Sequence, residues 1–143
     1  YKNVKPRIIA EQYMEDESGE LRDYKFHCFD GKAENVMVCC DRNTGDTKFY
    51  FFSQEWNLLP INKRGKATDK NFKLPKPECM DEMFEIAGKL SEGMPFLRVD
   101  LYSINGRPYF GETTFFPQSG LDPNLLPETD LQFGDKIKLE KMI

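Results

Sequence analysis

Between residues 96 and 102 the chain reads Phe-Leu-Arg-Val-Asp-Leu-Tyr, with Leu97, Val99 and Leu101 alternating against Arg98, Asp100 and Tyr102. A period of two is a strand with one face in a core. Asn105-Gly106 follows, the strongest short signal for a tight hairpin. The chain then returns through Tyr109-Phe110-Gly111-Glu112-Thr113-Thr114. A hairpin of this kind is marginal alone, so more strands and a covering layer must come from elsewhere in the chain. An all-helical fold is thereby excluded.

The first half supplies them. Arg7 to Met14, Asp23 to Asp30, Glu34 to Asp41 and Thr47 to Phe52 are rich in β-branched and aromatic residues. The turn at Asp30-Gly31-Lys32 joins the second to the third, and Asn43-Thr44-Gly45-Asp46 joins the third to the fourth. Residues 53 to 78, with Pro60, Gly65, Pro75 and Pro77, predict a long loop. From 79 to 91, Met80, Met83, Phe84, Ala87 and Leu90 recur at three- and four-residue spacing, which predicts a helix stopped near Gly93 and Pro95. A last helix is expected over much of Asp130 to Met142. At 143 residues this is one domain, 1–143, of α+β class: a mainly antiparallel sheet with two or three helices.

Charge and cysteine usage narrow the partners. The net charge is −4 with both signs interspersed, so no basic block exists to track a nucleic-acid backbone. The apolar runs are too short to cross a bilayer. Cys28, Cys39, Cys40 and Cys79 include no Cys-x-x-Cys, and His27 is the single histidine. A zinc site is therefore not expected. Buried, reduced thiols are expected instead, which favours a reducing, cytoplasmic setting.

The polar face of the hairpin holds the chemistry. With a three-residue loop, Asp100 lies opposite Glu112 and Arg98 opposite Thr114; with a strict two-residue turn, Asp100 faces Gly111 and Glu112 points away. Two opposed carboxylates repel one another. Either Arg98 neutralises them in an ion-pair ladder, or a hard divalent cation such as Mg²⁺ does so together with substrate phosphates.

Taken with Pro117-Gln118-Ser119-Gly120, the hairpin resembles the C-terminal part of ATP-grasp ligases, and more narrowly their teichuronopeptide-biosynthesis (TupA-like) branch. Pro6 to Glu11, Asp23 to Phe26, Phe29 to Lys32, Asp41-Arg42 and Trp56-Asn57 extend the resemblance over nearly the whole chain, in order. The resemblance implies ATP and Mg²⁺ as cofactors. Asp100 and Glu112 match the two acids that hold Mg²⁺ against the phosphates. Arg98 matches an arginine that steadies transferring phosphate or an oxyanion. The backbone of Glu11, Gln12, Tyr13 and Met14 matches the strand that receives adenine. The family's usual third ligand, an Asn two residues after the Glu, is Thr114 here, and a hydroxyl is a weaker ligand than an amide carbonyl.

Lesser candidates surround these. Lys25 shares a strand face with Asp23 and His27 and is placed to reach phosphate; a solvated lysine is the bland alternative. Asp23, or an acid of Glu15-Asp16-Glu17, is a candidate for ribose hydroxyls, against a solvated loop. His27 is read as structural. Arg42 and Trp56-Asn57 are placed with the acceptor, and Ser119-Gly120 in a loop with backbone donors to offer.

No glycine-rich phosphate loop is present. The chain begins at Tyr1 and is read as a fragment, inactive alone, of a longer protein. That protein is expected to be a Mg-ATP-dependent carboxylate–amine ligase working through an acylphosphate in surface polysaccharide or cell-wall polymer synthesis. Its partners would be a nucleotide and a carboxylate or amine substrate, a saccharide among them. The alternatives are a non-catalytic binding or assembly module and a glycosyltransferase-associated protein, though the Asp-x-Asp motif of many nucleotide-sugar enzymes is missing.

Overall fold

A computed structural model describes residues 3–15, 19, 21–69 and 71–139. Six strands form one antiparallel sheet: β1 (Asp23–Phe29), β2 (Lys32–Cys40), β3 (Lys48–Phe52), β4 (Leu58–Leu59), β5 (Phe96–Ile104) and β6 (Arg107–Thr114). Their spatial order is β4-β3-β2-β1-β5-β6. Among the described residues there are also three α-helices: α1 (Lys63–Ala67), α2 (Met80–Leu90) and α3 (Pro127–Lys136). The α+β class expected from the sequence is therefore the one observed.

Period-two alternation gives the sheet two unlike faces. On one, Phe26, Cys28, Val36, Val38, Phe52, Val99 and Leu101 are buried against Met80, Met83, Phe84 and Ala87 of α2. Phe26 and Phe84 meet edge to face at 4.9 Å, a favoured aromatic geometry. Leu90, the last residue of the expected stripe, is exposed instead. All four cysteines are free and buried, and burial pushes the Cys28 and Cys39 thiols up to about 11.

Three segments differ from expectation. Arg7 to Met14 forms no strand, and Ile8, Ile9 and Tyr13 are exposed. A strand needs a partner, whatever its propensity, and no described strand pairs with this one. The expected loop at 53–78 contains β4 and α1. Buried Asn62 caps α1 by accepting from Gly65 N–H at 2.9 Å, and its amide donates to the Phe49 carbonyl at 3.0 Å. Lys-Arg-Gly-Lys-Ala carries no apolar period, so this helix rests on its cap rather than on a stripe. Finally, α3 starts at Pro127, whose fixed φ suits a first helical position, and ends at Lys136, earlier than expected. Residues 140–142 of the expected helix lie outside the described residues.

Candidate functional site

The second sheet face carries the polar cluster. From β1 come Asp23, Lys25 and His27, from β5 Arg98 and Asp100, and from β6 Glu112 and Thr114; the register pairs Lys25 with Asp100, His27 with Arg98, Asp100 with Glu112 and Arg98 with Thr114.

A bulge produces that last register. Asn105 and Gly106 have φ of 51° and 70°, a two-residue turn of the I′ kind, and Leu101 pairs with Phe110. Carried forward unchanged, this register would set Asp100 against Gly111. One additional residue is accommodated between Asp100 and Leu101 in the ladder, so Glu112 lies opposite Asp100. Gly111 makes this possible. A Cβ there would lie 2.9 Å from the Tyr102 ring and 3.0 Å from the Asp100 carbonyl oxygen. The short turn and the direct carboxylate pair, alternatives in the sequence, therefore coexist.

Asp100 is 1% exposed and Asp23 2%, so both charges require partners. The Arg98 fork grips Asp100, Nε to Oδ1 at 2.7 Å and Nη2 to Oδ2 at 2.8 Å. The same Nη2 reaches Glu112 at 3.1 Å and the Thr114 hydroxyl at 3.0 Å. Lys25 donates to Asp100 and is 2.6 Å from Asp23, and Arg42 donates to Asp23 at 2.7 Å. Burial alone would lower the Lys25 ammonium, but its bonds to Asp100 and Asp23 outweigh it and raise the pKa. Burial likewise opposes the Arg42 charge, and Asp23 beside it raises the pKa. Three carboxylates and three cations thus share one partly buried network.

Two oxygens stay uncommitted. Among the described residues, Asp23 Oδ1 is buried without a hydrogen-bond partner, and Glu112, 64% exposed in its side chain, is bound through Oε1 alone. The described residues contain no group of three or more His, Cys, Asp or Glu placed to share a metal. The donor set consequently fits no all-protein cage. A cation here would have at most one or two carboxylates and would keep waters or phosphate oxygens as its other ligands.

Of the residues singled out in the sequence, Asp23, Lys25, Arg98, Asp100, Glu112 and Thr114 converge. Glu11, Gln12 and Tyr13 are exposed, Met14 is half-buried, and no hydrogen bond or ion pair joins them to the cluster. Asp16 and Glu17 lie outside the described residues. Arg42 belongs to the cluster through Asp23. Trp56 lies on the helix-covered side, stacked on Phe52 at 4.4 Å with Nε1 donating to the Leu74 carbonyl at 2.8 Å. Gln118, Ser119 and Gly120 all have positive φ. Such backbone is strained at the two non-glycine positions, and strain of this kind gathers at functional loops.

His27 is held structurally. Its Nδ1 lies 3.0 Å from Asn35 Oδ1 and its ring stacks on Phe51 at 5.5 Å. Burial, with the nearby Arg98 charge, lowers its pKa to about 4.

A family model described as TupA-like ATPgrasp matches residues 1–138 of the 143. No curated protein matches the chain, and no solved structure does.

Proposed function

The chain belongs to the TupA-like ATP-grasp family, and from that premise we propose that its polar sheet face binds the phosphates of Mg-ATP. The observation carrying this reading is the glycine bulge, which sets an exposed glutamate opposite a buried aspartate with one arginine bridging them. A purely structural ion pair needs no second carboxylate on the same guanidinium.

In this reading Asp100 and Glu112 hold Mg²⁺. The cation supplies neutralisation of charge on the phosphate oxygens. Arg98, whose Nη1 makes no hydrogen bond among the described residues, turns its planar fork from the carboxylates to a phosphate. That frees the Thr114 hydroxyl to join the ligands. Lys25 stays on the buried aspartates and offsets their charge while phosphate enters. Asp23 is assigned to the ribose hydroxyls, which must open the cluster to reach its buried Oδ1, and the backbone of Glu11, Gln12, Tyr13 and Met14 receives adenine.

The parent protein then transfers the γ-phosphoryl group to a substrate carboxylate, giving an acylphosphate and ADP. An amine displaces phosphate to form an amide. The product serves surface polysaccharide or cell-wall polymer synthesis, and residues 1–143 are the C-terminal nucleotide-binding part.

One observation favours a second reading. The three carboxylates are already matched by three cations, which suits a binding or assembly module that keeps the fold without turnover. Isothermal titration with ATP, with and without Mg²⁺, on wild type and Glu112→Gln separates the two. Glu112 is exposed, so the variant should fold. Mg²⁺-dependent ATP affinity lost in Glu112→Gln supports the nucleotide reading; affinity equal to wild type refutes it.

A further inference from the structure

A cavity of about 400 Å³ adjoins the cluster, between the end of the sheet and α3, a size ordinary for a small-molecule site. Its walls are mainly apolar and aromatic: Phe29, Phe96, Phe116, Phe133 and Ile137 line it, with His27 among them. It neighbours the site already described, since His27 pairs in register with Arg98 and the Phe116 wall follows two residues after Thr114.

The polar groups of this cavity are all of one kind. Asp122 and Asp130 line it, and neither has a cationic partner among the described residues. Asp122 accepts one backbone hydrogen bond, from Asn124 N–H at 2.9 Å. His27 is 6% exposed, and among the described residues its one hydrogen bond joins Nδ1 to the side-chain Oδ1 of Asn35. In the tautomer in which Nδ1 donates to that oxygen, Nε2 is the ring's acceptor. Among the described residues no lysine or arginine lines the walls. Two neighbouring cations are engaged elsewhere, Arg98 on Asp100 and Glu112, and Lys136 on Glu34. A phosphate or carboxylate would meet no cationic side chain among the described lining residues, and two carboxylates of its own sign. A protonated amine would meet two carboxylates, a ring nitrogen and several aromatic faces, all of which favour positive charge.

We propose that this cavity binds an organic amine, its apolar, preferably aromatic, body against the phenyl rings and its ammonium group toward Asp122, Asp130 and His27 Nε2. As a binding site it stands apart from the nucleotide reading. As the seat of the attacking amine it rests on that reading, and the test therefore uses no nucleotide.

Three probes of equal size and different charge decide it: 2-phenylethylamine, 2-phenylethanol and phenylacetate, titrated into the 143-residue chain. The readout is the ring resonance of His27, which needs no assignment because it is the single histidine. The amine should shift it saturably with a Kd about tenfold below that of the alcohol, the worth of one desolvated cation–aromatic or ionic contact. Phenylacetate should produce no saturable shift. In the Asp122→Asn, Asp130→Asn double variant the amine's advantage should fall to within about twofold of the alcohol. The proposal is overturned if phenylacetate or the alcohol binds as tightly as the amine, or if no probe moves His27. Should the double variant fail to fold, the ranking on wild type decides alone. Loss of this binding would leave Mg-ATP binding untouched, so the two readings fail separately.

Discussion

Acid should destabilise this fold through His27, by an amount its environment fixes. The ring is stacked on Phe51 and packed at 5.6 Å from Phe133 and 6.3 Å from Phe96. Burial first, and the Arg98 charge second, hold its pKa at about 4, whereas an unfolded imidazole titrates near 6.5. Between those values the unfolded chain binds a proton that the folded one refuses. Unfolding then takes up a proton, and stability falls as the pH drops through that window. A gap of about two and a half pH units is worth roughly 3 kcal/mol in full, of which about 2 kcal/mol is lost by pH 5. Carboxylates also titrate on the way down, so the assay is a difference: urea unfolding of wild type and His27→Gln at pH 7.5, 6 and 5. Glutamine keeps an amide donor for Asn35 and does not titrate. Wild type should lose about 2 kcal/mol relative to the variant between pH 7.5 and 5. An unchanged difference, or a ring that titrates near 6.5 in the folded protein, would refute the reasoning.

Two further outcomes follow from local geometry. Gly111→Ala sets a methyl 3.0 Å from the Asp100 carbonyl oxygen, a backbone atom that cannot step aside; overpacking of this kind costs about 1–3 kcal/mol. A denaturant midpoint equal to wild type would show that the bulge tolerates a side chain. Asn62→Ala removes the α1 cap and strips the Phe49 carbonyl of its donor, for a loss of about 1–2 kcal/mol by thermal unfolding; an unaltered Tm would mean that α1 does not need its cap.

The fold was legible wherever a residue's neighbours along the chain decide its environment. Alternation sorted Arg98 and Asp100 from Leu97, Val99 and Leu101, and the three- and four-residue spacing of Met80, Met83, Phe84 and Ala87 found α2. Long-range or very local effects hid the rest. Arg7 to Met14 has strand composition, but pairing depends on an edge the segment itself cannot specify. The helix at Lys63–Ala67 is set by a side chain that also bonds β3, which no window over the helix reveals. Within the site, the residue types and their face were readable. The pairing of Asp100 with Glu112 stood there as one of two alternatives tied to loop length, because a glycine in a strand marks a bulge only when the turn beyond it is known. The charge balance through Lys25 and Arg42 likewise became visible only once β1, β2 and β5 lay side by side.

The bulge separates two properties that a plain hairpin ties together. In an unbroken ladder the number of residues at the tip dictates every pairing below it, so changing the tip by one residue turns a whole strand over. Here the tip at Asn105-Gly106 and the carboxylate pair are about five residues apart along the chain, some 17 Å, with the correction made between them. A three-residue tip without the bulge and a two-residue tip with it give the same acidic pair at the same chain spacing. Hairpins of this kind can therefore exchange one arrangement for the other by moving a single residue, leaving the chemistry of the face in place while the outer loop is remodelled.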